Sequence, residues 1–552
     1  MRVLGINAVF HDPSAAIVVD GRTIAAAEEE RFSRRKHGKR PVPFSAWELP
    51  EQSARWALAH AGLQPRDLDA VAYSYDPDLC RPTADMGLND PWDGLRIDYA
   101  RHAPEFLAAA LPGLDPEKVQ FVPHHVAHAA SAGLAAPCRS SACLVLDGRG
   151  ERASHLAGHY RDGELTTLCT QELPHSLGLV YEELTAHLGF MRSSDEYKVM
   201  ALASYGEPRW ADELEAFIHA TGDGGFAACS PDWTRFAAAR ASGETMSRED
   251  ADLAASVQRR LEDVVVDLAR WLHEQTGERV LTMAGGTALN CVVNAALLRR
   301  TPFEDVWVQP AAGDAGTSLG AAMHVASRGC GHVGSGDTIE PMTTAALGRC
   351  WTDAELAAAL RTAHLPFTTP ADLPALVADV LARDGIVGWF AGRSEFGPRA
   401  LGHRSLLAHP GHQHNLERLN DVKGREQFRP VAPLVLLERA AEIFDGQIPS
   451  PYMLFVHQVA ASWRERIPAV VHVDGTARIQ TVDRATEPVV AALLEAFEAR
   501  TGLPVLVNTS LNTAGRPMVD SPQDVLELFG SAPVDVLVLG PHVVYRAEAF
   551  RA

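Results

Sequence analysis

One plan of strands and loops occurs twice in this 552-residue chain. Residues 2–7 (RVLGIN) read as a buried strand, followed by the polar loop AVFHDPS. The apolar run 15–19 (AAIVV), the turn Asp20-Gly21 and the strand 23–30 (TIAAAEEE) complete a hairpin. At 142–147 (ACLVLD) the series begins again. A glycine-bearing loop runs from Gly148 to Glu151, then come the strand SHLAGHY, the turn Asp162-Gly163 and the strand ELTTLCTQ. Asp-Gly between apolar runs is a strong hairpin signal, because both residues tolerate positive φ. A repeat on this scale means one supersecondary unit built twice, so the fold class expected is α/β with a duplicated N-terminal domain.

Between the two copies lies FVPHHVAHAASAG, residues 121–133. His124 and His128 are four apart, in a setting of alanines that favours helix and behind Pro123, which suits a helix start. On a helix both imidazoles share one face and can reach one ion. Spacing alone is weak: with 23 histidines in the chain, chance gives about one such pair. A second pair, His155 and His159, does occur, in a stretch that alternates like a strand. Two readings stand: half of a metal site, or an interface helix with satisfied histidines.

The length requires two or more domains. A net charge of −20 argues against nucleic acid and anionic membrane as partners. Eight cysteines without a C-x-x-C indicate neither a zinc ribbon nor a disulfide framework, and fit a reducing cytosol. MRVLGINAVF is not a signal peptide, and no apolar run reaches membrane-spanning length. A cytoplasmic location is expected.

Further along, 252–276 has helical apolar spacing and ends at Thr276-Gly277. The strand in RVLTMAGGTALN runs into Gly285-Gly286, either a tight turn or a close approach to a nucleotide. Asp314, on a glycine-flanked loop at a helix start, reads in isolation as an N-cap. Residues 328–350 read as the linker. The second half is dense in arginine beside glycine: AGRSEFGPRALGHRSLL, NDVKGREQFRP, ARIQTV and VLVNTSLNTAGRP. Phe396, Pro398, Leu401 and Phe428 interleave these cations, which a solvated basic face does not require. Arginine offers bidentate donors to phosphate, so a phosphorylated ligand is expected here.

HDPSAAIVVDG, AEEERFSRRKHG, HHVAHAASA, LVLDGRGE, SLGLVYEELTAHLGF, AGGTALN, SEFGPRALGHRSLLAHP, VKGREQFRPVAP and NTSLNTAGRPMVDSP together resemble the NodU/CmcH-type O-carbamoyltransferase family. The resemblance is nearest to its nebramycin (tobramycin) group of antibiotic-tailoring enzymes and runs almost the whole chain. It implies an actin/Hsp70-like (TsaD-like) carbamoyl-transfer domain at 1–340, a YrdC-like α/β domain at 341–541 and a tail at 542–552. The second domain would make carbamoyl-adenylate from carbamoyl phosphate and ATP, with Mg(2+) accompanying ATP. The first would pass the carbamoyl group to a hydroxyl of a natural product, an antibiotic or other secondary metabolite.

By the same resemblance, His124, His128, Asp147 and Asp314 hold a metal. The family favours Fe(2+), and the donor set also suits Mn or Zn. His11 would be the base for the acceptor hydroxyl, and Lys36 a catalytic or nucleotide-binding cation. Gly148, Gly150, Gly285, Gly286 and Asn290 would bind the adenylate. Arg399, Arg429 and Asn508 would bind carbamoyl phosphate; Arg404, Lys423, Arg478 and Ser510 would bind ATP. The loop NAVFHDP is shorter than in the family's aminoglycoside enzyme, and EYKVMALASYG departs from the family's usual run, so an acceptor other than an aminoglycoside is open. A homodimer is open too. The alternatives are a tRNA- or hydrogenase-maturation carbamoyltransferase and a non-enzymatic, nucleotide-switched actin-like protein.

Overall fold

In the computed structural model, which describes residues 1–38, 49–88, 90–329 and 339–550, both Asp-Gly pairs turn hairpins. Asp20 and Gly21 have φ of 49° and 78°, and Asp162 and Gly163 have φ of 50° and 82°. That is the doubly left-handed turn whose twist matches the flanking strands. Linker residues 330–338 and the last two residues of the expected tail lie outside the described residues.

The described chain forms two compact units, Met1–Thr343 and Thr344–Ala552. In the first, β1 (Arg2–Asn7), β2 (Ser14–Val19), β3 (Arg22–Glu28), β4 (Ala70–Tyr73) and β5 (Val119–Phe121) make a sheet of order β3-β2-β1-β4-β5. The next strands are β6 (Ser140–Leu146), β7 (Ala153–Arg161) and β8 (Glu164–Glu172). After a small hairpin, β9 (Ile218–Ala220) and β10 (Phe226–Ala228), come β11 (Val280–Ala284) and β12 (Asp305–Val308). The second sheet has order β12-β11-β6-β7-β8. In each sheet an antiparallel meander is extended by two parallel strands: β1 with β4 and β4 with β5, then β6 with β11 and β11 with β12. The two sheets are therefore one topology repeated, the duplicated actin/Hsp70-like plan.

After the last strand of each copy comes a helix. His124–Gly133 follows β5 and Ala315–Gly329 follows β12. Glycine lets these elements touch backbone to backbone. A Cβ on Gly5 of β1 would lie 1.8 Å from the Ser318 carbonyl oxygen, and one on Gly320 would lie 1.9 Å from that of Ala127. The long helix Arg248–Thr276 starts four residues before the apolar periodicity suggests. Ser247 and Asp250 form a capping box there, and Gly277 at φ 64° ends the helix, devices worth roughly 1 kcal/mol each.

The second unit is built on a seven-stranded mixed sheet. Its strands are β13 (Val387–Phe390), β14 (Arg404–Ala408), β15 (Ala432–Leu436), β19 (Gln480–Val482), β20 (Val505–Ser510), β21 (Val536–Leu539) and β22 (His542–Tyr545), in order β19-β15-β20-β14-β13-β21-β22. Short strands β16 (Phe444–Asp445), β17 (His457–Val459) and β18 (Thr476–Ala477) form a separate sheet. Trp389, Phe390, Phe497 and Phe529 anchor the core. Residues 542–552, expected as a tail, begin instead with β22, whose HVVY pairs antiparallel with β21. Apolar side chains there complete the sheet edge, and Val543 and Val544 are fully buried.

Candidate metal centre

The two helices that follow β5 and β12, and the loop that follows β6, bring four side chains together. The first helix carries His124 and His128 on one face, with ring centroids 4.7 Å apart. Asp147 follows directly on β6, and Asp314 precedes the helix Ala315–Gly329. One ligand atom from each of the four lies within 4.8 Å of the others, and all four residues are buried. His124 Nε2 is 3.4 Å from Asp147 Oδ2 and 3.7 Å from Asp314 Oδ1. His128 Nε2 is 3.8 Å from Asp147 Oδ2 and 3.7 Å from Asp314 Oδ1. These gaps are too long for hydrogen bonds.

The polar atoms facing this point are orphaned: His124 Nε2, His128 Nε2 and both carboxylate oxygens of Asp314 have no hydrogen-bond partner. Burying such atoms unpaired is costly. A divalent cation satisfies all of them at once, so the residues fit a metal. Two imidazoles with two carboxylates suit Fe(II), Mn(II) or Zn(II). His124 is oriented for this, because its Nδ1 meets the Ser74 carbonyl at 3.1 Å and so leaves Nε2 as the lone-pair nitrogen. Asp147 Oδ1 accepts from the Gly286 amide at 3.0 Å, keeping Oδ2 toward the histidines. Asp314 does not act as a side-chain N-cap, since its carboxylate oxygens accept no hydrogen bond while its carbonyl accepts from Thr317.

Without an ion, a proton on His124 balances part of the carboxylate charge that a cation would otherwise meet. Burial alone would neutralise these groups. The Asp147 and Asp314 carboxylates outweigh it for His124, whose pKa is held well above the usual value. Asp147 is held well below the ordinary carboxylate range, and Asp314 falls to about 2, by the histidines facing them. Two ionised carboxylates in a closed pocket seek positive charge. His125, on the same helix, is pushed down to about 3 by burial and by its histidine neighbours. Glu151 accepts from the amides of Asp76 and His124, each at 2.8 Å, and burial raises its pKa.

The glycines expected to face a nucleotide gather round Asp147. Gly285 has φ of 93°, and a Cβ there would lie 2.2 Å from the Leu146 carbonyl oxygen. A Cβ on Gly150 would lie 2.8 Å from the His125 ring. Gly148 is backed by Ser176, whose hydroxyl donates to its carbonyl at 2.7 Å. Asn290 is occupied differently: its Oδ1 caps the helix Cys291–Arg300 and its Nδ2 donates to Gln258 at 2.8 Å. His11 reaches the centre, its Nε2 3.7 Å from Asp314 Oδ2. Lys36 opens the turn Lys36–Gly38, beside His37. The pair His155 and His159 makes no such site, since on β7 the His155 nitrogens meet the carbonyls of Val145 and Gly224.

Sequence reasoning passed over a clamp beside this centre. Arg149 and Arg96 each sit 5.0 Å from the centroid of the Phe10 ring. Both guanidiniums bind Asp90 and Asp93, Arg149 at 3.0 and 2.7 Å. The clamp ties the loop after β1 to the loop after β6. Only the alternation of charge in NDPWDGLRID hinted at it.

In the second unit, β20 places Asn508 and Ser510 two apart on one face, with Asn508 buried and Ser510 partly buried. Asn508 Nδ2 donates to the carbonyl of Ala400 at 3.1 Å and to Gln480 Oε1 at 2.9 Å, leaving its buried Oδ1 without a partner. Lys423 Nζ donates to Ser510 Oγ at 2.9 Å and Asn512 Oδ1 at 2.5 Å. The buried Glu395 folds the GPRALGHR loop by accepting from the amides of Leu401, His403 and Arg404. Arg404 is itself fully buried over the Phe390 ring, donating to the carbonyls of Ala391, Gly392, His403 and Arg349. Its place is thus within the frame of this loop. Arg399, Arg429 and Arg478 are half-buried, with Arg478 two residues before Gln480.

Comparison with known proteins covers both units. The family model described as Carbamoyltransferase N-terminus matches residues 2–83 and 106–323, and Carbamoyltransferase C-terminus matches 378–546. The protein sll1178 of Synechocystis sp. is 36% identical over 99% of this chain and 96% of its own length. Nodulation protein NolNO of Sinorhizobium fredii is 37% identical over 98% of this chain and 80% of its own. Nodulation protein U of Bradyrhizobium diazoefficiens is 33% identical over 94% and 93%. Among solved structures, the ROK hexokinase from Thermus thermophilus is 16% identical, with 59% of this chain and 98% of that chain covered and a TM-score of 0.31. HypF of T. kodakarensis is 13% identical over 58% and 47%, with a TM-score of 0.33. The fold assignment stands on the strand order described above.

Proposed function

The chain belongs to the carbamoyltransferase family, and from that premise we propose that it is an ATP-dependent O-carbamoyltransferase with the work divided between its units. In unit Thr344–Ala552, one water cleaves carbamoyl phosphate into carbamate and phosphate. A carbamate oxygen then attacks the α-phosphorus of ATP, displacing pyrophosphate and leaving carbamoyl-adenylate. In unit Met1–Thr343, a hydroxyl oxygen of a small natural product attacks the carbamoyl carbon, its proton leaves, and the bond to AMP breaks.

The observation that carries this reading is the convergence of His124, His128, Asp147 and Asp314 with orphaned donor atoms, and His11 beside them. His124, His128, Asp147 and Asp314 would hold a divalent ion, iron by preference, which would supply positive charge for the transfer. His11 takes the acceptor proton. We assign the adenylate to the backbone of Gly148, Gly150, Gly285 and Gly286, with Lys36 adding a cation. In the other unit the unpaired Oδ1 of Asn508 suits the NH2 of a carbamoyl group, and Arg399 and Arg429 suit its phosphate. Lys423, Ser510, Arg478 and the Arg404 loop hold ATP, with Mg(2+) accompanying its phosphates. Excluding water matters because both carbamate and its adenylate hydrolyse. Among the described residues no helix is long and apolar enough to cross a membrane; we place the protein in the cytoplasm.

The test has two stages. Protein supplied with Fe(II), ATP and carbamoyl phosphate alone should release pyrophosphate; none would remove the adenylation step. Mass spectrometry of candidate hydroxyl acceptors, sugars included, should then show the gain of one carbamoyl group with stoichiometric AMP.

A further inference from the structure

The loop after β1 holds more than one histidine in place. His11 Nδ1 lies 2.9 Å from Asp12 Oδ2, and His37 Nδ1 lies 2.6 Å from Asp12 Oδ1. One carboxylate thus bridges two imidazoles. The backbone is bent to achieve it: Phe10, Asp12 and His37 have φ of 60°, 50° and 59°. Left-handed conformations at non-glycine residues persist only where the surroundings hold them. Here Asn7 Nδ2 donates to the carbonyls of His11 and Asp12, each at 3.0 Å. The Asp12 amide donates to the His37 carbonyl at 3.2 Å, and the His37 amide to Glu30 Oε2 at 2.9 Å. Although burial opposes ionisation, the His37 charge and the hydrogen bonds from both rings hold the Asp12 carboxyl well below its ordinary range.

An ionised carboxylate only accepts, so each Nδ1 facing it must carry a proton. In a neutral imidazole the lone pair then sits on Nε2. For His11 that nitrogen faces Asp314 of the metal centre, at 3.7 Å.

We propose that Asp12 is a positioning residue for carbamoyl transfer: it fixes the Nδ1–H tautomer of His11 and aims its Nε2 lone pair at the centre, while His37 anchors the carboxylate from the other side. In the step this serves, the acceptor O–H proton passes to Nε2 as the oxygen bonds the carbamoyl carbon and the carbon–oxygen bond to AMP breaks. The role rests on the reading of this unit as the transfer site, but the tautomer itself does not.

The experiment is Asp12→Asn in the full chain loaded with Zn(II). Asparagine keeps the shape and tolerates left-handed φ. Its amide, however, accepts at one end and donates at the other, so one ring must offer a lone pair at Nδ1. The longer of the two contacts, that of His11, is expected to switch. Long-range 1H–15N spectra of histidine-labelled protein, with His11 identified by its loss in His11→Gln, should show Nδ1–H in the wild type. The preference there should be about tenfold or more, as a charge-assisted hydrogen bond supplies. In D12N the same ring should show Nε2–H. Zinc content and pyrophosphate release should match the wild type. Nε2–H in the wild type, or an unchanged tautomer in D12N, overturns the proposal. Absence of pyrophosphate in the wild type would instead count against the carbamoyl-adenylate mechanism and leave the tautomer result standing.

Discussion

Replacing Gly320 by alanine tests whether backbone contact between two helices sets the candidate metal centre. The new Cβ would lie 1.9 Å from the Ala127 carbonyl oxygen and 2.7 Å from the Ser131 amide nitrogen. A carbon–oxygen contact needs about 3.3 Å, so the helices must part by about 1.4 Å. Ala127 adjoins His128, and Gly320 lies on the helix that Asp314 precedes. The movement therefore separates the histidines from Asp314 by far more than the ~0.2 Å tolerance of metal–ligand distances. Overpacking of this kind costs about 1–3 kcal/mol, a fall in melting temperature of a few degrees for a unit of this size. Metal affinity should drop on the order of tenfold to a hundredfold. Gly94→Ala, whose Cβ meets nothing within 4 Å, is the control and should melt at or slightly above the wild type. Calorimetry and metal analysis after dialysis at fixed free metal give the answer. A G320A protein with wild-type metal content and melting temperature would refute the account of helix contact given above.

Other outcomes follow from the same geometry. His128→Ala should lose bound metal and carbamoyl transfer yet keep pyrophosphate release; loss of both activities would break the division of labour. Asn508→Ala should cut pyrophosphate release about tenfold to a hundredfold, the value of one buried hydrogen bond to substrate, with metal content unchanged; undiminished release would free Asn508 of its role. His409 accepts the Gly411 amide on Nδ1 at 3.0 Å, and burial with His412 nearby pushes its pKa down to about 4. Its folded value lies below the unfolded one, so the stability it contributes is present above about pH 6.5 and is lost as pH falls toward 4. His409→Asn, which retains an acceptor, should lose less stability between pH 7 and pH 5 in urea titrations; parallel losses in both proteins would remove His409 as the cause.

How much of this was legible in the sequence varied with the range of the interaction. The duplicated sheets were readable because strand, loop and Asp-Gly turn are local patterns that recur in order. His124 and His128 announced each other through helical spacing, but Asp147 and Asp314 reached the site only through the family resemblance, since 167 residues and a repeated topology separate them. Asp314 looked like a cap because a cap and a ligand both stand at a helix start; only the fate of its oxygens tells them apart. Asn290 was the reverse case, expected at a nucleotide and found capping. Asp12 went unread because its role depends on left-handed backbone at Asp12 and His37, which no local pattern in HDPS or RKHG declares. The tail expected at 542–552 followed from where the family resemblance ends, and the pairing of β22 with β21 is decided by the sheet edge waiting for it.

The repeat has a consequence for how the centre is shared. Both imidazole ligands, with His11, come from the first copy, and both carboxylate ligands come from the second. Neither copy alone offers all four donors. An ion held by all four would rivet the copies together, satisfied only while they keep their mutual register. Occupancy of the centre should therefore report on that register: any movement that opens one copy against the other pulls nitrogen donors from oxygen donors, and whatever holds the ion resists the opening.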